Sequence, residues 1–124
     1  MRVSFLLVFL LLAATALPVG VHAQQEADKD KETFGNLMPA IGALERGDYA
    51  QAIDSLRPFA VDGTIEAQYV LGTVLETAPP PFRDLQAAQG WYLRAAESGH
   101  PAAQNNLGAM YFDGRGALRN FDDA

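Results

Sequence analysis

Few side chains in this sequence are of a type that carries out covalent or acid–base chemistry. The 124 residues include two histidines and no cysteine, which excludes a thiol nucleophile, a thiolate metal site and a disulfide framework. His100 lies between Gly99 and Pro101, a setting more typical of a structural turn residue than of a general base. One histidine outside the N-terminal segment does not make a zinc site of the usual kinds.

The remaining polar groups are also poorly arranged for catalysis. No serine lies in a Gly-x-Ser-x-Gly motif, and Gly114-Arg115-Gly116 is too short for a phosphate-binding loop. Asp122 and Asp123 are adjacent, so on a helix they do not face one site. Other acidic residues are interpreted as solvated helix faces and N-caps: Glu66, Glu76, Asp84 and Glu97. We therefore predict no catalytic residue, no cofactor and no metal site.

The charge balance limits the partners. Lys and Arg number 9 against 15 Asp and Glu, for a net charge of -6. Such a chain is not expected to bind nucleic acid or an anionic membrane surface.

The chain repeats itself with a period of 36 residues. Shifted by 36, identical or similar residues coincide from Asp48 to the end, including the pairs Asp48 and Asp84, Ala52 and Ala88, Gly63 and Gly99, Ala67 and Ala103, Gln68 and Gln104, Leu71 and Leu107, and Gly72 and Gly108. A period in this range is typical of stacked helical units, none of which buries its apolar face alone.

Two motifs within each period identify the unit. One is A-x-x-x-L-G-x-x-Y followed by a G-x-G turn, formed by Ala103, Leu107, Gly108, Tyr111, Gly114 and Gly116. The other is A-x-x-W-Y-x-x-A-A-x-x-G-H, formed by Ala88, Trp91, Tyr92, Ala95, Ala96, Gly99 and His100. Together they resemble the Sel-one-like repeat, a relative of the tetratricopeptide repeat. The resemblance is strong over 66–124, weaker over 34–65, and absent from the N-terminus.

The resemblance implies an all-α fold: an α-α superhelix, a right-handed solenoid of antiparallel helix pairs. The repeat domain is expected over 34–124, with a degenerate repeat at 34–65, a well-preserved repeat at 66–101 and an incomplete repeat at 102–124. It also implies a non-catalytic adaptor or scaffold that holds a protein or peptide partner on its concave face. The candidate contact residues are the variable polar ones of the first helices: Gln68, Thr73, Gln104, Asn105 and Asn106.

The N-terminus is typical of an export signal. Arg2 precedes the apolar run 3–17, Pro18 and Gly20 are expected to break the helix, and a cut is predicted after Ala23. Residues 1–23 are therefore predicted to be a signal peptide, and 24–33 a disordered polar linker. This places the protein in the periplasm or outside the cell, with no stable membrane insertion once the leader is removed. The alternatives are an uncleaved leader that tethers a scaffold to the membrane, and an envelope hydrolase acting on cell-wall or β-lactam substrates.

Local signals predict helix ends and breaks. Asn36 is expected to cap the first helix with Pro39 in its first turn, Gly47 to end that helix, and Asp48 to cap the next. Pro58 predicts a kink or an early end of that second helix. The prolines at 79–81 predict a stiff, extended connection, and Asp84 is expected to cap the helix that follows.

Small residues are expected to line the contacts between helices. Gly72 and Gly108 lie inside helices, where glycine costs about 1 kcal/mol relative to alanine, and close approach of a neighbouring helix is the expected reason. Trp91 is interpreted as a core residue rather than a ligand platform. The chain stops where a further helix begins, so Leu107, Tyr111 and Phe112 are expected to be exposed. That open face suggests self-association, or a fragment of a longer array.

Overall fold

The computed structural model describes residues 19–116, and every regular element in this range is an α-helix. The predicted all-α class is confirmed for this part of the chain. The helices are α1 (Val19–Glu45), α2 (Tyr49–Val61), α3 (Ile65–Thr77), α4 (Leu85–Glu97) and α5 (Pro101–Asp113). The chain divides into two compact units, Met1–Glu32 and Thr33–Ala124, and α2 to α5 belong to the second.

Helix α1 begins earlier than the sequence predicts. Residues 24–33, predicted to be a disordered linker, lie inside it, and so does Gly20. The segment is almost entirely exposed, but its Gln, Glu, Ala and Lys residues favour a helix. The start of this segment is also stabilised by an i,i+4 hydrogen bond, in which Gln24 Nε2 donates to Asp28 Oδ1 at 3.4 Å. Of the predicted leader, Met1–Pro18 lies outside the described residues.

Two further predictions for α1 are wrong for the same reason. Asn36 is not an N-cap, and Pro39 lies in the helix interior, because the helix is continuous from Val19 to Glu45. Its inner face carries Leu37, which is buried, and Ile41 and Leu44, which are partly buried against the core. No helix of the described range has both the length and the apolar character needed to cross a membrane.

The predicted N-caps of α2 and α4 are confirmed. The Asp48 carboxylate accepts the Gln51 N–H at 3.1 Å, and the Asp84 carboxylate accepts the Ala87 N–H at 3.0 Å. Each satisfies one of the N–H groups that the first turn of a helix leaves without a partner. Gly47, which follows α1, has a φ of 74°, the left-handed conformation that glycine adopts without steric cost.

Helix α2 does not end early. It runs through Pro58 to Val61, although Pro58 removes one intrahelical hydrogen bond. The carbonyl that loses its partner belongs to Asp54, which is exposed. Water can hydrogen-bond to this carbonyl, so the helix continues.

The proline segment forms a compact turn, not the extended arm that was predicted. The Phe82 N–H donates to the Pro79 carbonyl at 2.9 Å, and the Asp84 N–H donates to the Leu75 carbonyl at 2.9 Å. The Phe82 ring lies 6.0 Å from the ring of Tyr49 at the start of α2. The turn therefore joins α3 to α4 and also packs on the preceding helix pair.

Alanine dominates the contacts between helices, as expected. Nine alanines of residues 19–116 are fully buried: Ala40, Ala43, Ala52, Ala60, Ala67, Ala78, Ala88, Ala95 and Ala103. In the same range, the largest fully buried side chain is Tyr92. Trp91 is partly buried against the core, with the Arg94 guanidinium 4.7 Å from its ring centre. Small side chains let the helix backbones approach, and the few large ones fill the remaining space.

Loop lengths explain why the 36-residue register stops at Asp48. Residues 46–48 connect α1 to α2, whereas residues 78–84 connect α3 to α4. The first connection is four residues shorter, so α1 cannot align with α3 in the same register. The weaker resemblance over 34–65 therefore reflects this shorter loop as well as substitution.

Candidate functional site

The candidate site is the surface shared by α3 and α5, the first helices of two successive pairs. We call it the first-helix face and define it by exposed or half-buried residues that lie 36 positions apart. On α3 these are Glu66, Tyr69, Val70, Thr73 and Thr77, and on α5 they are Ala102, Asn105, Asn106, Ala109 and Asp113. Polar bridges join the two helices near both ends and in the middle.

His100 makes the bridge at the N-terminal end. Its Nδ1 accepts the Ala103 N–H at 3.1 Å, which caps α5, and its Nε2 lies 3.0 Å from Glu66 Oε2 on α3. The imidazole also stacks on the Tyr69 ring, with 4.4 Å between ring centres. Both ring nitrogens are thus engaged in holding the two helices together, in agreement with a structural role for His100.

Tyr92 makes the bridge in the middle. It reaches from α4 between the two first helices, and its hydroxyl donates to Glu76 Oε2 at 2.6 Å. The Thr73 hydroxyl oxygen lies 3.2 Å from the same phenol oxygen, and the half-buried Asn106 side chain of α5 lies near it. One phenol therefore fixes the positions of side chains from α3 and α5.

Arg115 makes the bridge at the C-terminal end. Its Nη1 donates to Glu76 Oε1 at 2.7 Å, and its Nε lies 3.3 Å from Asp113 Oδ2. The turn lies so close to α4 that a Cβ added at Gly116 would be 2.5 Å from the Leu85 carbonyl oxygen. The two glycines of the Gly-Arg-Gly turn therefore place an arginine on the preceding pair, and the turn has no phosphate-binding geometry.

Tyr92 is expected to give the fold a specific sensitivity to alkaline pH. Burial, and then the hydrogen bond to the Glu76 carboxylate, raise the pKa of Tyr92 to about 12 from 10.0. A raised pKa means that the protonated phenol stabilises the fold. This stabilisation is complete below pH 10.0 and is lost as the pH rises toward about 12.

The measurement is an unfolding series across this pH window, with tyrosinate absorbance recorded in parallel. Tyr92→Phe should lose both the steep fall in stability and the late absorbance step. A Tyr92→Phe profile parallel to that of the unmodified chain would contradict the assignment.

Two of the five predicted contact residues form a hydrogen bond to the helix before their own. Gln68 is buried, with 7% of its surface exposed, and its Nε2 donates to the Ala60 carbonyl at 3.1 Å. Gln104 is exposed, yet its Nε2 donates to the Ala96 carbonyl at 3.2 Å in the same way. Both glutamines attach a first helix to the helix before it. The prediction of Gln68 as a surface residue is therefore wrong.

The other three predicted residues belong to the first-helix face. Thr73 is half-buried and donates to the Tyr69 carbonyl at 3.1 Å, and Asn106 is half-buried beside Tyr92. Asn105 is fully exposed one residue earlier on α5. No measurement of binding tests these three, and their role as contact residues stays a prediction.

Sequence reasoning missed the residues that hold the face together. The contact of Gln68 with Ala60 recurs 36 residues later as the contact of Gln104 with Ala96. Because both residues of the pair recur with the period, the repeat itself carried this signal. The pair of Glu76 and Arg115 has no such signal, since the positions 36 away are occupied by Phe112 and Pro79.

The far side of α5 is only partly as predicted. Tyr111 and Phe112 are 55% and 92% exposed, but Leu107 is buried. A Cβ at Gly108 would have no neighbour within 4 Å in the described chain, so the predicted close helix approach at Gly108 is not found there. At Gly72, by contrast, a Cβ would lie 2.7 Å from the Tyr92 ring, and the prediction is confirmed. Self-association through the far side of α5 stays a prediction.

The chemistry available to the face is therefore recognition by hydrogen bonds, charge and partly exposed rings. Within residues 19–116, no three His, Asp or Glu side chains lie together as metal ligands would. Asp122 and Asp123 lie outside the described residues.

Comparison with known proteins bears directly on the repeat. The family model of the Sel1 repeat matches residues 65–100 and again residues 101–124. No curated protein and no solved structure matches the chain. The first match contains α3 and α4, the second contains α5, and the polar bridges described above join the two. The chain therefore carries two Sel1 repeats over residues 65–124 and is similar to the Sel1-like repeat family.

Proposed function

We propose that this chain is a non-catalytic interaction module that binds a protein or peptide partner on the first-helix face. Sel1 repeats generally mediate protein–protein interaction. The observation that carries the proposal here is the set of polar bridges between α3 and α5. They fix side chains that would otherwise have to be ordered when a partner binds, and this lowers the entropy cost of binding.

The same contacts favour binding over hydrolysis. His100 is the one histidine of the repeats, and both of its ring nitrogens have partners within the fold. Using it as a general base would require breaking the cap of α5. A hydrolase acting on cell-wall or β-lactam substrates is therefore the weaker candidate.

The proposal includes export. Cleavage of the leader after Ala23 would release the interaction module, beginning at Gln24, into the periplasm or outside the cell. The mass of the chain purified from its native cells tests this directly. A mass that includes Met1–Ala23 would favour the membrane-tethered scaffold.

Site-specific crosslinking tests the binding face. A photo-crosslinking amino acid is placed at Asn105, on the first-helix face, or at Leu93, which is 39% exposed on α4. In native extract, the chain labelled at Asn105 should capture a discrete partner that the chain labelled at Leu93 does not. Equal capture from both positions, or capture only from Leu93, would contradict the proposed face.

A further inference from the structure

The two first helices carry charge of one sign only. Between them, α3 and α5 contain Glu66, Glu76 and Asp113 and neither lysine nor arginine. The second helices are mixed: α2 carries Arg57 with Asp54, and α4 carries Arg94 with Glu97. The second helices therefore carry charge of both signs, whereas the first helices of the two repeats carry only acidic residues.

Two of the three carboxylates are already occupied by a cation from the same chain. The Arg115 guanidinium lies within 2.7 Å of Glu76 and 3.3 Å of Asp113. This contact shows that the face accommodates an arginine. Among residues 19–116, the remaining acidic residue of the two helices, Glu66, pairs with His100 and with no lysine or arginine.

The surroundings of Glu66 suit a second cation. Its side chain is 48% exposed, and its partner is His100 Nε2. Because Nδ1 of His100 accepts the Ala103 N–H, Nε2 is the ring nitrogen that donates to Glu66. This hydrogen bond fixes the position of the carboxylate. The half-buried Tyr69 ring stacks on the same imidazole, and the part of the ring left accessible can pack against the aliphatic stem of an arginine or lysine.

We propose that Glu66, with Tyr69, anchors an arginine or lysine of the partner, so that the first-helix face selects a cationic peptide segment. This inference rests on the proposed function and specifies the partner's chemistry. The net charge of -6 would steer such a segment toward the chain. A peptide segment anchored at Glu66 would then run past Val70 and Thr73 along α3 and α5.

An NMR titration tests the inference. The labelled full chain is titrated with an unstructured decapeptide of serine, glycine, one leucine and two arginines, and with the same peptide carrying glutamine for arginine. The arginine peptide should shift the amide signals around Glu66, Tyr69 and Asn105. The glutamine peptide should bind several-fold more weakly, and added salt should remove most of the difference.

Matched variants separate a site from overall charge. Glu66→Gln keeps an oxygen that accepts from His100 but loses the charge, and it should weaken binding of the arginine peptide about three- to tenfold. Glu97→Gln removes the same charge from the exposed surface of α4 and should change binding less than twofold.

The possible outcomes distinguish this inference from the proposed function. Equal weakening by the two variants, or equal binding of both peptides at the first-helix face, would overturn the cation preference and leave the binding face in place. If neither peptide binds and crosslinking at Asn105 also fails, both proposals are wrong.

Discussion

Replacing Tyr92 by alanine is expected to lower the free energy of unfolding by about 3–5 kcal/mol, a large part of the stability of a domain of this size. The ring is fully buried and lies against Gly72 of α3, so its removal leaves a cavity in close-packed surroundings. The change also removes the hydroxyl that donates to Glu76. Chemical unfolding followed by circular dichroism measures the loss.

Two controls show where the Tyr92 effect comes from. Tyr111→Ala removes the same side chain from a position that is 55% exposed and should change stability by no more than about 0.5 kcal/mol. Tyr92→Phe keeps the ring and loses the hydroxyl, and should cost about 1–3 kcal/mol. If the alanine variants at 92 and 111 were equally stable, the packing described here would be wrong.

Alanine at two equivalent glycines is expected to change stability in opposite directions. Gly72→Ala places a Cβ 2.7 Å from the Tyr92 ring, and that ring cannot easily withdraw because its hydroxyl is bonded to Glu76. Overpacking of this kind costs about 1–3 kcal/mol, against a gain of about 1 kcal/mol in helix propensity. Gly72→Ala should therefore be destabilising.

Gly108→Ala is the matched variant at the same position of the next repeat. In the described chain nothing lies within 4 Å of the new Cβ, so the gain in helix propensity, up to about 1 kcal/mol, remains. Thermal unfolding of both variants, measured side by side, gives the signs. Destabilisation by alanine at both positions would mean that a helix also packs on Gly108.

The sequence predicted those features that depend on neighbouring residues or on the period. Asp48 and Asp84 cap helices because a short acidic side chain precedes each helix. Close packing at Gly72 was predicted because glycine is unfavourable inside a helix unless a neighbouring group lies too close for a side chain. The early end expected at Pro58 and the extended arm expected at the proline turn did not form, because solvent exposure or tertiary contacts compensate for the local preference. A proline rule describes an isolated helix, and it includes neither the solvent exposure of Asp54 nor the ring contact of Phe82 with Tyr49.

The face itself was less predictable than the fold. Gln68 and Asn105 look alike in sequence, both polar and on first helices, yet one is buried and the other exposed. The difference depends on how each helix is rotated against its neighbours, and a rotation of about 100° per residue moves a side chain from surface to core. The bond of Glu76 to Arg115 spans 39 residues and occurs once, so no periodic pattern pointed to it.

The bond from Arg115 back to Glu76 also affects how the repeats unfold. In a linear array, each unit gains stability from its nearest neighbours, and weakly coupled units fray from the ends. Here Glu76 accepts from Tyr92 of its own repeat and from Arg115 of the next one. When the C-terminal turn loosens, Glu76 loses the bond from Arg115 that helps to position it for Tyr92. The two repeats are therefore expected to unfold cooperatively.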